Sequence, residues 1–163
     1  MKWVVDASVA AKWLAPESDS LLAEALLDGD ELIAPDLLIA EVANILWKKQ
    51  VRGELDAATA ALAVRWLLHA PLQVHDSAGL TVDALALALQ LKHPAYDCFY
   101  LALAEREGVP LVTADRRLPG RCMVVDRVRW GERVRLLAEG AAKPALTRAD
   151  IADPLAGSPK APG

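Results

Sequence analysis

Four short apolar runs, KWVVD, ELIAP, PLQVHD and VPLVTAD, are separated from one another by segments of helical composition. This alternation restricts the fold more than any other feature. A strand followed by a helix before the next strand cannot close a hairpin; it pairs in parallel, with its helices covering the faces of the sheet. The expected architecture is therefore α/β, three layers with a central parallel sheet and helices on both sides.

Within that frame, ASVAAKWL after the first run has helical composition, and residues 17 to 28 read as a second helix with Glu17 and Asp19 in its first turn. From Asp36, a good N-cap, apolar residues recur at helical spacing (Leu38, Val42, Ile45, Leu46) up to Arg52, and Gly53 stops the helix. Residues 56 to 69 repeat the pattern. TVDALALALQL alternates like a strand, but Ala and Leu are strong helix formers and the run is long for a strand, so a helix capped by Ser77 is expected to about Lys92. Pro94 opens a further helix that Gly108 closes. RCMVVD is expected as a fifth strand and residues 130 to 138 as a short amphipathic helix. One folded domain over 1–138 is expected, followed by a Pro-, Ala- and Gly-rich tail over 139–163 that is too small and polar to pack.

With 54% hydrophobic and 25% charged residues the chain is globular in composition. No apolar run is long enough to span a bilayer, Lys2 is followed by a strand pattern rather than a signal-peptide core, and a cytoplasmic location is expected. Cys98 and Cys122 lack metal-ligand spacing and sit in apolar stretches, so buried free thiols are expected. A net charge of -4 argues against binding nucleic acid by coating phosphates. Locally, however, seven arginines against two acids lie between Arg116 and Arg135.

In a parallel sheet, ligands bind outside the carboxyl ends of the strands. Asp6 ends the first run and Asp115 ends VPLVTAD; Asp97 falls in the first turn of the helix after Pro94, and Glu41 in the second turn of the helix after Asp36. All four can face one crevice. Clustered carboxylates raise one another's pKa and need a cation, and an all-oxygen set suits Mg²⁺ or Mn²⁺ rather than zinc. Such ions activate water and steady the leaving oxygen in phosphodiester cleavage. Taken singly, each acid has a structural alternative: a helix cap for Asp6 or Asp97, a solvated face for Glu41. Glu41 stands among Ile39, Ala40, Val42 and Ala43, and Asn44 shares its face.

VVDASV, AEVANIL, YDCFYLALAE and LVTADRRL follow one another in the order and approximate spacing of the PIN-domain ribonucleases. Over roughly residues 2 to 138 the chain closely resembles the VapC toxins of toxin–antitoxin pairs. The resemblance implies a PIN-like α/β/α fold and a Mg²⁺-dependent endoribonuclease, with Mn²⁺ able to substitute and with products bearing 5′-phosphate and 3′-hydroxyl ends. It implies Asp6, Glu41, Asp97 and Asp115 as the metal-site acids, and Ser8, Asn44 and Thr113 as groups that orient carboxylates or water. An RNA substrate, a homodimer and a small neutralising antitoxin are implied as partners. A further acid that some PIN domains carry after the last motif is replaced here by Arg116 and Arg117, which adjoin Asp115 and are expected to hold the RNA backbone. The alternatives are a PIN nuclease of cellular RNA processing and an inactive PIN-type RNA- or protein-binding module.

Other phosphoryl-transfer folds also place an acid after their first strand. A haloacid-dehalogenase-type phosphatase requires a second Asp where this chain has Ser8, and a response-regulator receiver requires a late Lys that is not convincing between 93 and 142. The five tryptophans (3, 13, 47, 66, 130) are expected in packing, with Trp13 and Trp47 open to a dimer or antitoxin contact. His69, His75 and His93 lack zinc spacing and are read as structural or surface residues.

Overall fold

The computed structural model describes residues 1–140. The segment expected as a disordered tail lies, from residue 141 on, outside the described residues. Among the described residues five strands form one sheet: β1 (Lys2–Val5), β2 (Glu31–Pro35), β3 (Leu72–His75), β4 (Leu111–Thr113) and β5 (Val134–Leu136). Their order is β3-β2-β1-β4-β5 and every pairing is parallel. The expected α/β/α class is what the chain adopts.

β1 sits in the middle, and Trp3, Val4 and Val5 are buried, as a strand covered on both faces requires. From β1 the chain steps to β2 and then β3, after which it returns across the sheet to β4 on the other side of β1. α1 (Ala7–Ala10), α3 (Leu37–Val51) and α4 (Ala57–Leu67) belong to the outward steps and pack on one another. α5 (Thr81–Leu91), α6 (Ala95–Glu107) and α7 (Arg117–Val125) follow the return and pack together as a second group. Right-handed crossovers in opposite directions put these groups on opposite faces. The connections leaving β1 and β4 therefore diverge, and they open a crevice at the carboxyl ends of those two strands.

α6 is the core helix of the second face: Cys98, Tyr100, Leu101, Ala102, Leu103 and Ala104 are all buried against β1, β2, β4 and α5. Burying one such Leu contributes roughly 1.5–3 kcal/mol. Gly108 ends it at φ 66°, the left-handed C′ position that a Cβ disfavours. TVDALALALQL is helical, as expected, and its alternation reflects Ala84, Leu87 and Leu91 turned inward. Cys98 and Cys122 are buried free thiols, pushed up by desolvation to about 12 and about 11, which leaves them unreactive. No helix among the described residues is long and apolar enough to cross a membrane.

Four local expectations are corrected. RCMVVD is not a strand but the greater part of α7, which buries Leu118 and Cys122 four residues apart while Val124 is 78% exposed. The β-branched pair misleads because it faces water, and Pro119 is tolerated in the first turn, where its missing N–H is not needed. The fifth strand lies instead within the segment expected as a helix over 130–138. Val134, Arg135 and Leu136 pair with Leu111, Val112 and Thr113, and α8 (Arg127–Trp130) and α9 (Leu137–Gly140) flank them. Trp130, Val134 and Leu137 mimic helical spacing because a helix, a strand and a second helix each bury one of them.

In addition, Asp36 makes no helix-cap bond and Ser77 makes no cap bond to the helix that follows it. They bond each other, with Ser77 N 3.1 Å from Asp36 Oδ1 and Leu37 N donating to Ser77 Oγ at 3.2 Å, so the ends of β2 and β3 are tied together. Asp76 takes the cap role, accepting from Gly79 N at 2.9 Å. The helix expected over 17 to 28 is shorter, α2 (Ser20–Glu24) running into a 3-10 turn at Ala25–Leu27.

Candidate functional site

A pocket of about 220 Å³ opens in the β1/β4 crevice, and Asp6, Glu41, Asp97 and Asp115 all line it. Each comes from a different element. Asp6 ends β1 and N-caps α1, with Val9 N donating to its Oδ1 at 3.0 Å. The cap reading and the crevice reading of Asp6 are thus both true. Glu41 points in from the second turn of α3, Asp97 from the first turn of α6, and Asp115 follows β4.

The carboxylates are held by specific partners. Ser8 Oγ donates to Asp6 Oδ1 at 2.5 Å and accepts from Ala114 N at 2.9 Å, which stitches the end of β1 to the end of β4. Thr113, wholly buried, accepts from Asp115 N at 3.0 Å, and its hydroxyl also bonds Asp6. Tyr100 donates its hydroxyl to Glu41 Oε2. His93 Nε2 lies 2.6 Å from Asp97 Oδ2. Arg117 grips Asp115 through its backbone N at 2.9 Å and its guanidinium Nη2 at 2.8 Å.

Burial pushes the Asp6 carboxyl up to about 6; the nearby Asp97 charge adds to this, and the Ser8, Thr113 and Val9 bonds oppose it. Glu41 is likewise raised, first by desolvation and then by Asp97, against the Tyr100 bond. Asp115 goes the other way because Arg117 is beside it. The pocket therefore makes ionisation of Asp6 and Glu41 costly while Asp115 is held in its charged form by Arg117. Tyr100 is itself pushed far up, by burial and by the Glu41 charge, so it stays a neutral donor.

This donor set fits a hard divalent cation: it is all oxygen, anionic and partly desolvated, and a cation would offset the desolvation and the Asp97 repulsion that together raise Asp6 and Glu41. Among the described residues, no three His, Cys, Asp or Glu side chains already stand as a closed ligand set for one ion. Ser8, Tyr100, His93 and Arg117 each hold an oxygen of one carboxylate.

Of the other residues expected here, Asn44 lines the pocket, whereas Arg116 lines a neighbouring depression with Lys12, Ser18 and Asp19. Tyr100, His93 and Lys48 were not anticipated at the site. His93 is four residues before Asp97, a spacing that puts two side chains together within a helix; here the pair spans the turn into α6. Glu41, Asn44, Ile45 and Lys48 fall at i, i+3, i+4 and i+7, so all four share the stripe of α3 that borders the pocket. Tyr100 shows no sequence signal beyond its burial in α6; only the tertiary fold brings it to Glu41.

A PIN-domain family model matches residues 3–121. The chain is 46% identical over 121 residues to Ribonuclease VapC3 of Pyrobaculum aerophilum, covering 72% of this chain and 92% of that protein. To Ribonuclease VapC3 of Mycobacterium tuberculosis it is 34% identical over 116 residues, 71% of this chain and 83% of that one. The crystal structure of PAE2754 from Pyrobaculum aerophilum superposes with a TM-score of 0.60 at 27% identity, over 74% of this chain and 79% of that chain. A parallel α/β/α sheet with acids gathered at its switch point defines the class, and the chain belongs to the PIN-domain family. Within that family it is similar to proteins named VapC ribonucleases.

Proposed function

We propose that this chain is a Mg²⁺-dependent endoribonuclease that hydrolyses RNA phosphodiester bonds, with Mn²⁺ able to substitute, and that it is the toxin of a toxin–antitoxin pair. The observation that carries the reading is the convergence of Asp6, Glu41, Asp97 and Asp115, from four elements, on one pocket at the sheet's switch point. The names of its relatives supply RNA as the substrate class.

The four carboxylates would hold the ion, which when bound supplies a water of lowered pKa and neutralises charge on the reacting phosphate. The chain's own groups do the positioning. Ser8 and Thr113 fix Asp6 and the turn before Asp115, Tyr100 holds Glu41, and His93 holds Asp97. Asn44 offers an amide to the same pocket. Arg117, anchored on Asp115, and Arg116, beside it, supply positive charge next to the acids.

As partners we propose a second copy of the chain and a small antitoxin in the cytoplasm, supported by the exposed Trp47, Val51, Leu62 and Trp66 on α3 and α4. The purified chain is expected to run as a dimer in light scattering, and to cut single-stranded RNA with Mg²⁺ or Mn²⁺ but not in EDTA. Undiminished cutting in EDTA would overturn the metal-dependent reading.

A further inference from the structure

The arginine-rich stretch from 116 to 135 is largely committed to the protein itself. Arg117 is bound to Asp115, Arg121 donates to Leu91 O, Arg129 pairs with Glu105, and Arg135 pairs with Glu132. Arg116 lines a different depression from the carboxylates. Among the described residues, the cationic side chain that lines the carboxylate pocket is Lys48. Its sequence neighbour Lys49 is buried and committed to Glu17 and Glu54, whereas Lys48 is exposed.

The position has a physical logic. Lys48 is seven residues beyond Glu41, so about two turns, or roughly 10 Å of helix rise, separate their backbones. Side chains on a helix lean toward its N-terminus, which aims the long Lys48 stem back over Asn44 and Ile45 toward Glu41. An ammonium on a flexible stem is a mobile point charge suited to a phosphate oxygen. A polyanion approaching four carboxylates is repelled unless a cation meets it at the entrance.

We propose that Lys48 is a substrate-positioning residue that binds a backbone phosphate of the RNA strand entering the pocket along α3. Asn44 lies between this contact and the acids, so the strand runs from Lys48 past Asn44 to the carboxylates. The assignment rests on the RNA reading given above.

The test is anisotropy of a fluorescein-labelled, mixed-sequence single-stranded RNA, with Ca²⁺ in place of Mg²⁺ and the RNA checked by gel to be intact. Wild type, Lys48→Met and Lys48→Arg are titrated over a range of salt. Lys48→Met is expected to weaken binding roughly fivefold, as loss of one exposed charge contact does. The slope of log K against log salt should shrink by about 0.7, the share of one phosphate contact on a single strand. Lys48→Arg should restore both, and Mn²⁺ affinity should not fall in either variant. Equal affinity and equal slope for wild type and Lys48→Met, with wild type binding well, would overturn the assignment alone. Weaker binding with an unchanged slope would also overturn it, since the role would then be packing. Wild type that binds no RNA would overturn the RNA reading, and the assignment with it.

Discussion

Asp6 shows how one side chain can serve a local and a long-range purpose. Its Oδ1 caps α1 and receives Ser8, while the same carboxyl lies almost wholly inside the pocket, with its pKa pushed up to about 6 from an ordinary value of 3.8. A carboxyl raised on folding favours the folded state most below its unfolded pKa, and that advantage is lost as pH rises through the folded value. In metal-free buffer, thermal midpoints measured between about pH 4 and pH 7 should therefore fall with rising pH more steeply for wild type than for Asp6→Asn. The difference should be on the order of 1–3 kcal/mol; parallel profiles would show that Asp6 ionises freely. Asp97 differs in kind, because Pro94 holds the N-cap position of α6 and the Asp97 carboxylate meets His93. Its charge adds to the desolvation that raises Asp6 and Glu41. Asp97→Asn is accordingly expected to abolish RNA cleavage while raising the metal-free midpoint by roughly 1–2 °C. Full activity with an unchanged midpoint would move Asp97 from the site to the scaffold.

At the level of elements, the long helices and the strands with apolar runs were legible because burial stamps a pattern on them: near-continuous burial for β1 and β4, and a 3.6-fold period for α3. The placement of the four acids was legible too, since strand ends and the first two turns of helices are places that can be counted along the chain. The partners that hold those acids were not. Tyr100 and Glu41 are 59 residues apart in sequence, and nothing local in either segment announces the bond. The misreading of α7 and β5 has a different origin. A three-residue edge strand carries too few positions to establish an alternation, and Val124 and Val125 have high β-propensity although a helix presents them outward. Two substitutions separate the readings by thermal or urea unfolding. Val124→Lys is expected to change stability by less than about 0.5 kcal/mol, as at other exposed sites. Leu118→Ala, in the buried stripe of the same helix, is expected to cost about 2–4 kcal/mol. The reverse ranking would restore a buried strand over 121–126.

Across the whole molecule, the fold's contribution is to bring together groups that repel one another. The strand order reverses at β1/β4, the two connections diverge, and acids from two strand ends and two helices meet in the gap. The packing of α3 and α6 on opposite faces of that gap resists the repulsion, and Ser8 ties its two strands across it. A fold that keeps this arrangement without a cation is held under electrostatic load, which a bound cation relieves as it binds. The most direct measurement of this account is a calorimetric Mn²⁺ titration of the wild type and of Asp6→Asn, Glu41→Gln, Asp97→Asn and Asp115→Asn, each checked by circular dichroism for an intact fold. If the four carboxylates form one metal site, every substitution weakens Mn²⁺ binding, by roughly tenfold or more for loss of a charged ligand. Wild-type affinity in any one of the folded variants would remove that residue from the metal site, and wild-type affinity in all four would contradict the account.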